Sequence, residues 1–303
     1  HLWRESIVFQ GTLVALVTPF DGNNRLDNTS LKRRMDFHVE QGSSGLVIAG
    51  TTGESPTLER TEHIELIGRS IEIAGGRIPI IAGTGSNSTS QSVDLTLAVA
   101  DPGLAAYMAV VPYYNKPTQE GIFRHYSALA DAAEKPVLMY NVPGRTVADM
   151  LPETVGRLAK HGNIFGLKEA TGDIDRLKQV QAVVDETFML YSGDDFTLRP
   201  FIEQGGHGVV TVSGNVVPRQ VATLCKLARD GKAIEAKALD DALQPLNKAL
   251  FSESNPIPVK WAVSKMGLMA PHIRLPLTPF SEQYHEAMLS AMRTAGVEAE
   301  VVE

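Results

Sequence analysis

Short apolar runs recur along the chain and alternate with longer segments that carry apolar residues at helical spacing. The eight runs cover residues 13–18, 45–49, 78–82, 107–111, 137–142, 164–168, 189–193 and 209–213. Most are apolar throughout, which is typical of parallel strands covered on both faces. Strand followed by helix, repeated in this way, predicts an α/β fold of the (β/α)8 barrel type. An open doubly wound sheet is the structural alternative, because the pattern does not show closure.

The helical segments define the second half of each repeat and then continue alone. Helices are predicted over residues 28–41, 58–74, 119–133 and 173–184, with Asn28 and Asp173 where N-caps belong. After about Gly231 the strands stop, and helices are predicted over residues 232–250, 258–266 and 279–294. We therefore expect a barrel domain over residues 1–230 and a C-terminal helical domain over residues 231–303, packed on the barrel.

Composition excludes several classes of partner. The 303 residues carry a formal net charge of −7, and the run Lys32-Arg33-Arg34 reads as a solvated helix face. Nucleic-acid binding requires clustered basic residues, so we do not expect a nucleic-acid partner. Cys225 is the only cysteine, which excludes an intrachain disulfide, and no stretch reaches the length of a membrane span. We expect a cytoplasmic chain without a membrane partner.

The carboxyl ends of the predicted strands are where a barrel of this type carries its active site. Hydroxyls and glycines dominate there, as in Gly50-Thr51-Thr52-Gly53-Glu54. The eight histidines are scattered, and Asp194-Asp195 reads as a solvated or capping pair rather than a metal site. The segment at residues 83–88 lacks the Gly-Lys-Ser/Thr ending of a phosphate loop. We predict neither a metal nor another cofactor.

Lys168 ends an otherwise apolar strand. By the period of two, its side chain shares a face with Ile164, Gly166 and Ala170. If that face points into the barrel, burial disfavours the charged ammonium, which is what a Schiff-base lysine needs. Gly166, one layer below, would leave room for the side chain. A lysine whose amine reaches solvent is the commoner case from the pattern alone.

Tyr140 and the loop that contains Thr51 and Thr52 are the other candidates. Tyr140 ends the preceding strand, and a phenol beside Lys168 can transfer protons in carbinolamine and enamine steps. A packed tyrosine with a solvated tip is again the commoner case. The threonine hydroxyls and nearby N–H groups could hold a carboxylate, or form a plain capped loop.

Five motifs carry a resemblance over nearly the whole chain, from about Gly11 to Gly296. They start at Gly50, Pro112, Tyr140, Gly166 and Asn255 and read GTTGES, PYYNKP, YNVPGRT, GLKEAT and NPIPVK. Through them the chain resembles the dihydrodipicolinate synthase and N-acetylneuraminate lyase family. The resemblance implies a (β/α)8 barrel with class I aldolase chemistry on pyruvate, and it reverses the commoner interpretations of Lys168 and Tyr140.

The resemblance also implies roles for individual residues. Lys168 condenses with pyruvate, while Thr51, Tyr114 and Tyr140 form a hydroxyl relay. Tyr114 reaches into the neighbouring subunit's site. The chain is then a homotetramer built from tight dimers.

The substrate-binding residues follow from the same resemblance. Thr52 holds the pyruvate carboxylate, and backbone carbonyls near Gly193 and Val210 line the pocket. Arg145 binds the carboxylate of aspartate semialdehyde, a task that suits a planar guanidinium. The implied product is 4-hydroxy-tetrahydrodipicolinate, on the route to lysine and diaminopimelate.

Two other functions stay open at this point. A pyruvate lyase for a longer keto acid, such as sialic acid or a keto-deoxy-sugar acid, would retain Lys168, Thr51 and Tyr140 without needing Arg145. A non-catalytic pyruvate sensor should have lost part of the set formed by these three residues and Tyr114, and this chain retains all four.

A regulatory site is implied at the dimer interface, where feedback-inhibited members of the family bind lysine. The matching positions are Ser55, Pro56, Arg60, His63, Asn87, Gln91 and Tyr113. Arg60 stands where those members usually have histidine, and Gln91 where they have glutamate. Loss of a carboxylate and gain of a positive charge disfavour an ammonium. We therefore expect weak or absent inhibition by lysine.

Overall fold

A computed structural model of the chain describes residues 9–299. Its strands are β1 (Gly11–Ala15), β2 (Gly45–Ile48), β3 (Ile80–Gly83), β4 (Ala106–Val110), β5 (Val137–Asn141), β6 (Ile164–Glu169), β7 (Met189–Ser192) and β8 (Gly208–Thr211). Each pairs in parallel with the next, and β8 pairs with β1, so the sheet closes into a barrel. The predicted barrel is confirmed. Residues 1–8 and 300–303, the outer ends of the predicted domains, lie outside the described residues.

Helices follow the strands around the barrel. Within residues 9–299 they are α1 (Asn28–Gln41), α2 (Arg60–Ala74), α3 (Thr89–Ala98), α4 (Gln119–Ala132), α5 (Pro143–Thr146), α6 (Pro152–Leu158), α7 (Ile174–Gln181), α8 (Leu198–Glu203), α9 (Pro218–Arg229), α10 (Ala233–Leu250), α11 (Ile257–Lys265) and α12 (His285–Thr294). Asp173 caps α7 as predicted, whereas Asp27 rather than Asn28 caps α1 by accepting from the Ser30 N–H. None of these helices is long and apolar enough to span a membrane.

The barrel interior is a small apolar core with members on every strand. Leu138 and Tyr140 of β5 face it together with Phe165 of β6, whereas Ile164 packs in the outer core with the helices. The pairing of β5 with β6 shifts between Val137 and Leu138, so one residue of β6 is skipped. Because of this shift, Ile164 does not lie on the same face of β6 as Lys168. The prediction that the two residues share a face was therefore wrong.

The C-terminal helices and the barrel share one hydrophobic core. Leu243 and Leu246 of α10, Val263 of α11 and Met288 of α12 lie in one buried cluster with Leu224 of α9. An ion pair between Arg199 on α8 and Asp240 on α10 adds a polar contact at 3.0 Å. The three predicted C-terminal helical regions are therefore present and packed against the barrel. The division of the chain at residue 230 stays a prediction.

The basic run on α1 is only partly solvated. Lys32 and Arg33 are exposed, but Arg34 is fully buried and donates to the backbone carbonyl and the side-chain oxygen of Asn215. Asn215 also accepts from the Val17 N–H after β1. The prediction of a solvated face was therefore wrong for Arg34, which faces the turn after β8.

Candidate active site

The carboxyl edge of the barrel holds a buried amine and a phenol side by side. Lys168 pairs with Tyr140 across β6 and β5, and Lys168 Nζ lies 3.7 Å from the centroid of the Tyr140 ring. Both residues are 6% exposed, so the predicted burial of Lys168 is confirmed. The aromatic face replaces part of the hydration that the amine lacks there. The role of Lys168 as nucleophile stays a prediction.

A glycine directly after the next strand, β7, makes the space for this lysine. A Cβ atom on Gly193 would lie 2.9 Å from Lys168 Cε and 2.6 Å from the Ala170 Cβ. A Cβ on Gly166 would instead lie 2.4 Å from the Met189 carbonyl oxygen on β7. The sequence-based explanation of Gly166 was therefore wrong: Gly166 allows two strand backbones to approach, and Gly193 accommodates the lysine.

The loop after β2 carries the two candidate threonines. Thr51 is partly exposed, whereas Thr52 is buried and its Oγ1 accepts a hydrogen bond from the Asn255 side-chain amide at 3.0 Å. The Thr18 hydroxyl donates to the Gly53 carbonyl at 2.7 Å. These contacts tie the loop to the segment after β1 on one side and to the segment before α11 on the other.

Glu54 anchors the same loop through a buried ion pair. Its backbone is left-handed, with φ 58°, and its carboxylate contacts Lys260 Nζ at 2.5 Å, with both side chains 1% exposed. Lys260 also donates to the His272 carbonyl, and the Arg274 N–H donates to Glu54. Burial lowers the pKa of Lys260 to about 8, against the opposing effect of Glu54. The sequence signal for this contact was a lysine between the apolar residues Val259 and Trp261, inside a predicted helix.

Arg145 lies on α5, above a cavity of about 600 Å³ that Thr51 also lines. The side chain is exposed, and its guanidinium donates to the Asn255 carbonyl oxygen at 3.1 Å. No carboxylate within residues 9–299 forms an ion pair with it. The guanidinium is therefore available to an anionic ligand that enters the cavity.

The same cavity extends to most of the predicted effector residues. Those that line it are Ser55, Pro56, Arg60, His63, Gln91 and Tyr113. Asn87 does not line the cavity, and its backbone carbonyl accepts a hydrogen bond from the side chain of Asn115, which directly follows Tyr114. Asp94 also lines the cavity, but Arg60 pairs with it at 2.8 Å.

The remaining predicted residues separate into an interior and an exposed group. Val210 is buried in the interior core, on β8, and Gly193 follows β7. Tyr114 is 86% exposed and has a left-handed backbone, with φ 74°. Its side chain is therefore largely in solvent in the single chain.

Asp195, the second acid of the Asp194-Asp195 pair, lies against the turn after β8. Asp195 is buried and accepts hydrogen bonds from the Thr211 hydroxyl and from the N–H groups of Val212 and Ser213. Burial raises its pKa. The carboxylate therefore holds the turn after β8, which agrees with a capping role.

Glu169, next to Lys168, faces the opposite side of β6. Its carboxylate accepts from the Asn141 side chain at 3.1 Å, and Asn141 also donates to Asp149, which pairs with Arg176. Burial raises the pKa of Glu169 to about 7. A partly buried polar network thus supports the strand ends that carry Tyr140 and Lys168.

A closed barrel with a buried amine at its carboxyl edge is the arrangement of a barrel enzyme. The sequence matches the Dihydrodipicolinate synthetase family over residues 8–295. Relatives named 4-hydroxy-tetrahydrodipicolinate synthase from Ectopseudomonas mendocina and Pseudomonas aeruginosa are each 53% identical over 287 residues, which is 95% of this chain and 98% of each relative. The chain belongs to this family and is a lyase-type enzyme.

Solved structures agree with this assignment. A chloride-inhibited dihydrodipicolinate synthase from Acinetobacter baumannii, complexed with pyruvate, aligns with TM-score 0.93 at 45% identity and covers 96% of this chain and 100% of its own. The dihydrodipicolinate synthase of Thermotoga maritima aligns with TM-score 0.92 at 39% identity, over 96% of this chain and 99% of its own. The family resemblance predicted from the sequence is confirmed.

Glu169→Gln is predicted to gain stability relative to the unsubstituted protein as the pH rises. The folded pKa of Glu169, about 7, lies above its ordinary value of 4.5, so the stability it contributes is lost as pH rises through about 7. Glutamine carries no charge, and the difference in unfolding free energy should therefore grow by about 2 kcal/mol between pH 5.5 and pH 8. Thermal unfolding at both pH values measures it. Glu186→Gln, at an exposed site, is the control, and parallel pH profiles for Glu169→Gln and the unsubstituted protein would contradict the prediction.

Proposed function

We propose that this enzyme condenses pyruvate with L-aspartate-4-semialdehyde through a Schiff base on Lys168 and forms 4-hydroxy-tetrahydrodipicolinate. The observation that carries the proposal is the buried Lys168 Nζ, 3.7 Å from the Tyr140 ring centroid at the catalytic edge of the barrel. The 53% identical relatives that carry the name of this synthase support the same reaction. We place the reaction in the biosynthesis of lysine and diaminopimelate.

The chemistry begins with attack of the neutral Lys168 amine on the keto carbon of pyruvate. A carbinolamine forms, loses water to give the Schiff base, and loses a methyl proton to give an enamine. The enamine carbon attacks the aldehyde. The amino group of the semialdehyde then replaces Lys168 on the former keto carbon, which closes the ring and frees the lysine. One water is released overall, and no redox partner is needed.

Tyr140 is the proton carrier in this scheme because its ring lies directly against the amine. Thr51 and Tyr114 extend the relay, and Tyr114 does so from the neighbouring subunit. The exposure and left-handed backbone of Tyr114 support a tyrosine that is held outward for a partner's site. A tyrosine shared in this way requires a tight dimer, and we propose that two such dimers form a homotetramer. We also propose that the enzyme acts in the cytoplasm.

The two substrate carboxylates have separate sites in the proposal. Thr52 binds the pyruvate carboxylate, with the carbonyls near Gly193 and Val210 lining the same pocket. Arg145 binds the carboxylate of the semialdehyde, because it lies at the shared cavity with no carboxylate paired to it among the described residues. A lyase for longer keto acids would have no need of this guanidinium.

Lys168→Ala is predicted to abolish covalent capture of pyruvate and to reduce turnover below detection. Alanine has no amine to form the Schiff base. Borohydride reduction in the presence of pyruvate, followed by mass spectrometry, measures the adduct, and a coupled assay measures turnover. Lys160→Ala, at an exposed lysine just after α6, should keep both. A pyruvate adduct on the Lys168→Ala protein would refute the assignment.

Arg145→Ala is predicted to lower kcat/KM for the semialdehyde about 100-fold, while the pyruvate adduct on Lys168 persists. The loss corresponds to a hydrogen-bonded charge pair of about 3 kcal/mol. Steady-state assays with aspartate semialdehyde, sialic acid and keto-deoxy-gluconate, together with borohydride trapping, measure both properties. Arg219→Ala, at an exposed arginine on α9, is the control. Equal loss of trapping and turnover in Arg145→Ala would show that this residue is not specific to the second substrate.

Inhibition by lysine is predicted to need millimolar concentrations or to be absent. Asp94 is the one carboxylate that lines the described cavity, and Arg60 already pairs with it, so a lysine ammonium finds no free partner. Dose–response assays check this. The double substitution Arg60→His and Gln91→Glu should strengthen inhibition, because it restores a carboxylate and removes a positive charge. Half-inhibition of the unsubstituted enzyme at micromolar lysine would overturn the prediction.

A further inference from the structure

Asn255, which precedes α11, lies between the two proposed carboxylate-binding residues. Its side-chain Nδ2 donates to Thr52 Oγ1 at 3.0 Å, and its backbone carbonyl accepts from the Arg145 guanidinium at 3.1 Å. Asn255 is only 6% exposed and Thr52 is also buried, so water does not readily replace the contact between them. One residue of the C-terminal region therefore contacts both Thr52 and Arg145.

The direction of the contact with Thr52 has a chemical consequence. A threonine hydroxyl has one proton to donate and two lone pairs to accept with. Because the Asn255 amide supplies the donor, the Thr52 proton remains available for an incoming carboxylate. Accepting one hydrogen bond also strengthens the bond that the same hydroxyl donates. The amide thus sets both the orientation and the donor strength of the hydroxyl.

Asn255 is itself held at a fixed distance from the loop. Lys260, five positions further on, forms the buried pair with Glu54, which is two positions beyond Thr52. Thr52 and Glu54 are therefore each attached to the same C-terminal segment, through Asn255 and Lys260. A loop with two such attachments has little freedom to let the Thr52 hydroxyl turn away from its donor.

The carbonyl oxygen of the Asn255 side-chain amide, Oδ1, does not contribute a stabilising hydrogen bond within the described part of the chain. Asn255 Oδ1 is buried and has no hydrogen-bond partner among residues 9–299. An unsatisfied buried acceptor costs free energy, so packing alone does not favour an asparagine over an apolar residue of similar size at this position. The one hydrogen bond that the side-chain amide makes among the described residues is the bond that it donates to Thr52.

We propose that Asn255 is a positioning residue that orients the Thr52 hydroxyl as a donor to the pyruvate carboxylate. The proposal rests on the function proposed above for Thr52. Asn255 touches no reacting atom in this scheme and acts only through Thr52. The C-terminal region would then contribute directly to substrate affinity.

Two substitutions at residue 255 test the proposal in the full-length enzyme. Asn255→Ala removes the donor, and KM for pyruvate should rise about 3- to 10-fold with a smaller change in kcat. Asn255→Asp keeps the shape of the side chain but draws the Thr52 proton to itself and places a negative charge beside the carboxylate site. It should raise KM for pyruvate more than Asn255→Ala does. A packing role predicts the reverse order, because the isosteric side chain preserves packing better.

A double-substitution cycle shows whether the effect passes through Thr52. In a Thr52→Val background the hydroxyl is gone, so Asn255→Ala should produce little further change in KM for pyruvate. Asn247→Ala is the matched control, because Asn247 is also a buried asparagine that donates one hydrogen bond and has an unpartnered Oδ1. It should leave KM for pyruvate unchanged.

The outcomes separate failure of this proposal from failure of the proposed function. An unsubstituted enzyme without a pyruvate adduct on Lys168 would remove the proposed function itself. If that adduct forms, an unchanged KM in both Asn255 variants, a larger effect of alanine than of aspartate, or effects that multiply in the Thr52→Val background would overturn the role of Asn255 alone. If Asn255→Ala does not fold, Asn255→Leu, which also removes the donor but keeps the side-chain volume, replaces it in the comparison with Asn255→Asp and in the Thr52→Val background.

Discussion

Closure of the barrel is the constraint on which the rest of the molecule depends. Because β8 pairs with β1, all eight strands run in one direction around a closed sheet, and their carboxyl ends meet at a single edge. The register of β5 with β6 then sets Tyr140 opposite Lys168 at that edge. The interior below them is filled by apolar side chains, so the amine is not reached by water from beneath. The chemistry we propose requires the Lys168 amine to lie close to the Tyr140 phenol and to be shielded from bulk water.

A second constraint comes from outside the barrel. The buried pair of Lys260 with Glu54 joins residues that are 206 positions apart in the chain. A buried ion pair adds little net stability compared with apolar residues, but loss of one partner leaves an uncompensated charge, so the pair favours one arrangement of the loop over others. The C-terminal helices therefore do more than cover one side of the barrel, because they fix the loop that carries Thr51 and Thr52.

The sequence predicted the elements better than it predicted their contacts. The eight strands and the cap at Asp173 follow from local patterns, and the structure agrees with them. The burial of Lys168 follows from the family resemblance, because the local pattern alone favours a lysine that reaches solvent. The face of Ile164 was wrong because a shift in pairing is a property of two strands. The explanation of Gly166 was wrong for the same reason, since the atoms that exclude a side chain there belong to β7. Arg34 was assigned to solvent because the turn that buries it lies 181 positions away.

By itself, the sequence determined the order of strands and helices, the polar character of the strand ends and, through its motifs, the family. These depend on periodicity and residue type, which are local properties of the chain. Only the tertiary structure decided that Gly193 makes room for Lys168, that Arg60 neutralises Asp94, and that Asn255 contacts both Thr52 and Arg145. Each of these is a contact between distant segments, and its existence depends on distances of a few ångströms that no periodicity along the chain encodes.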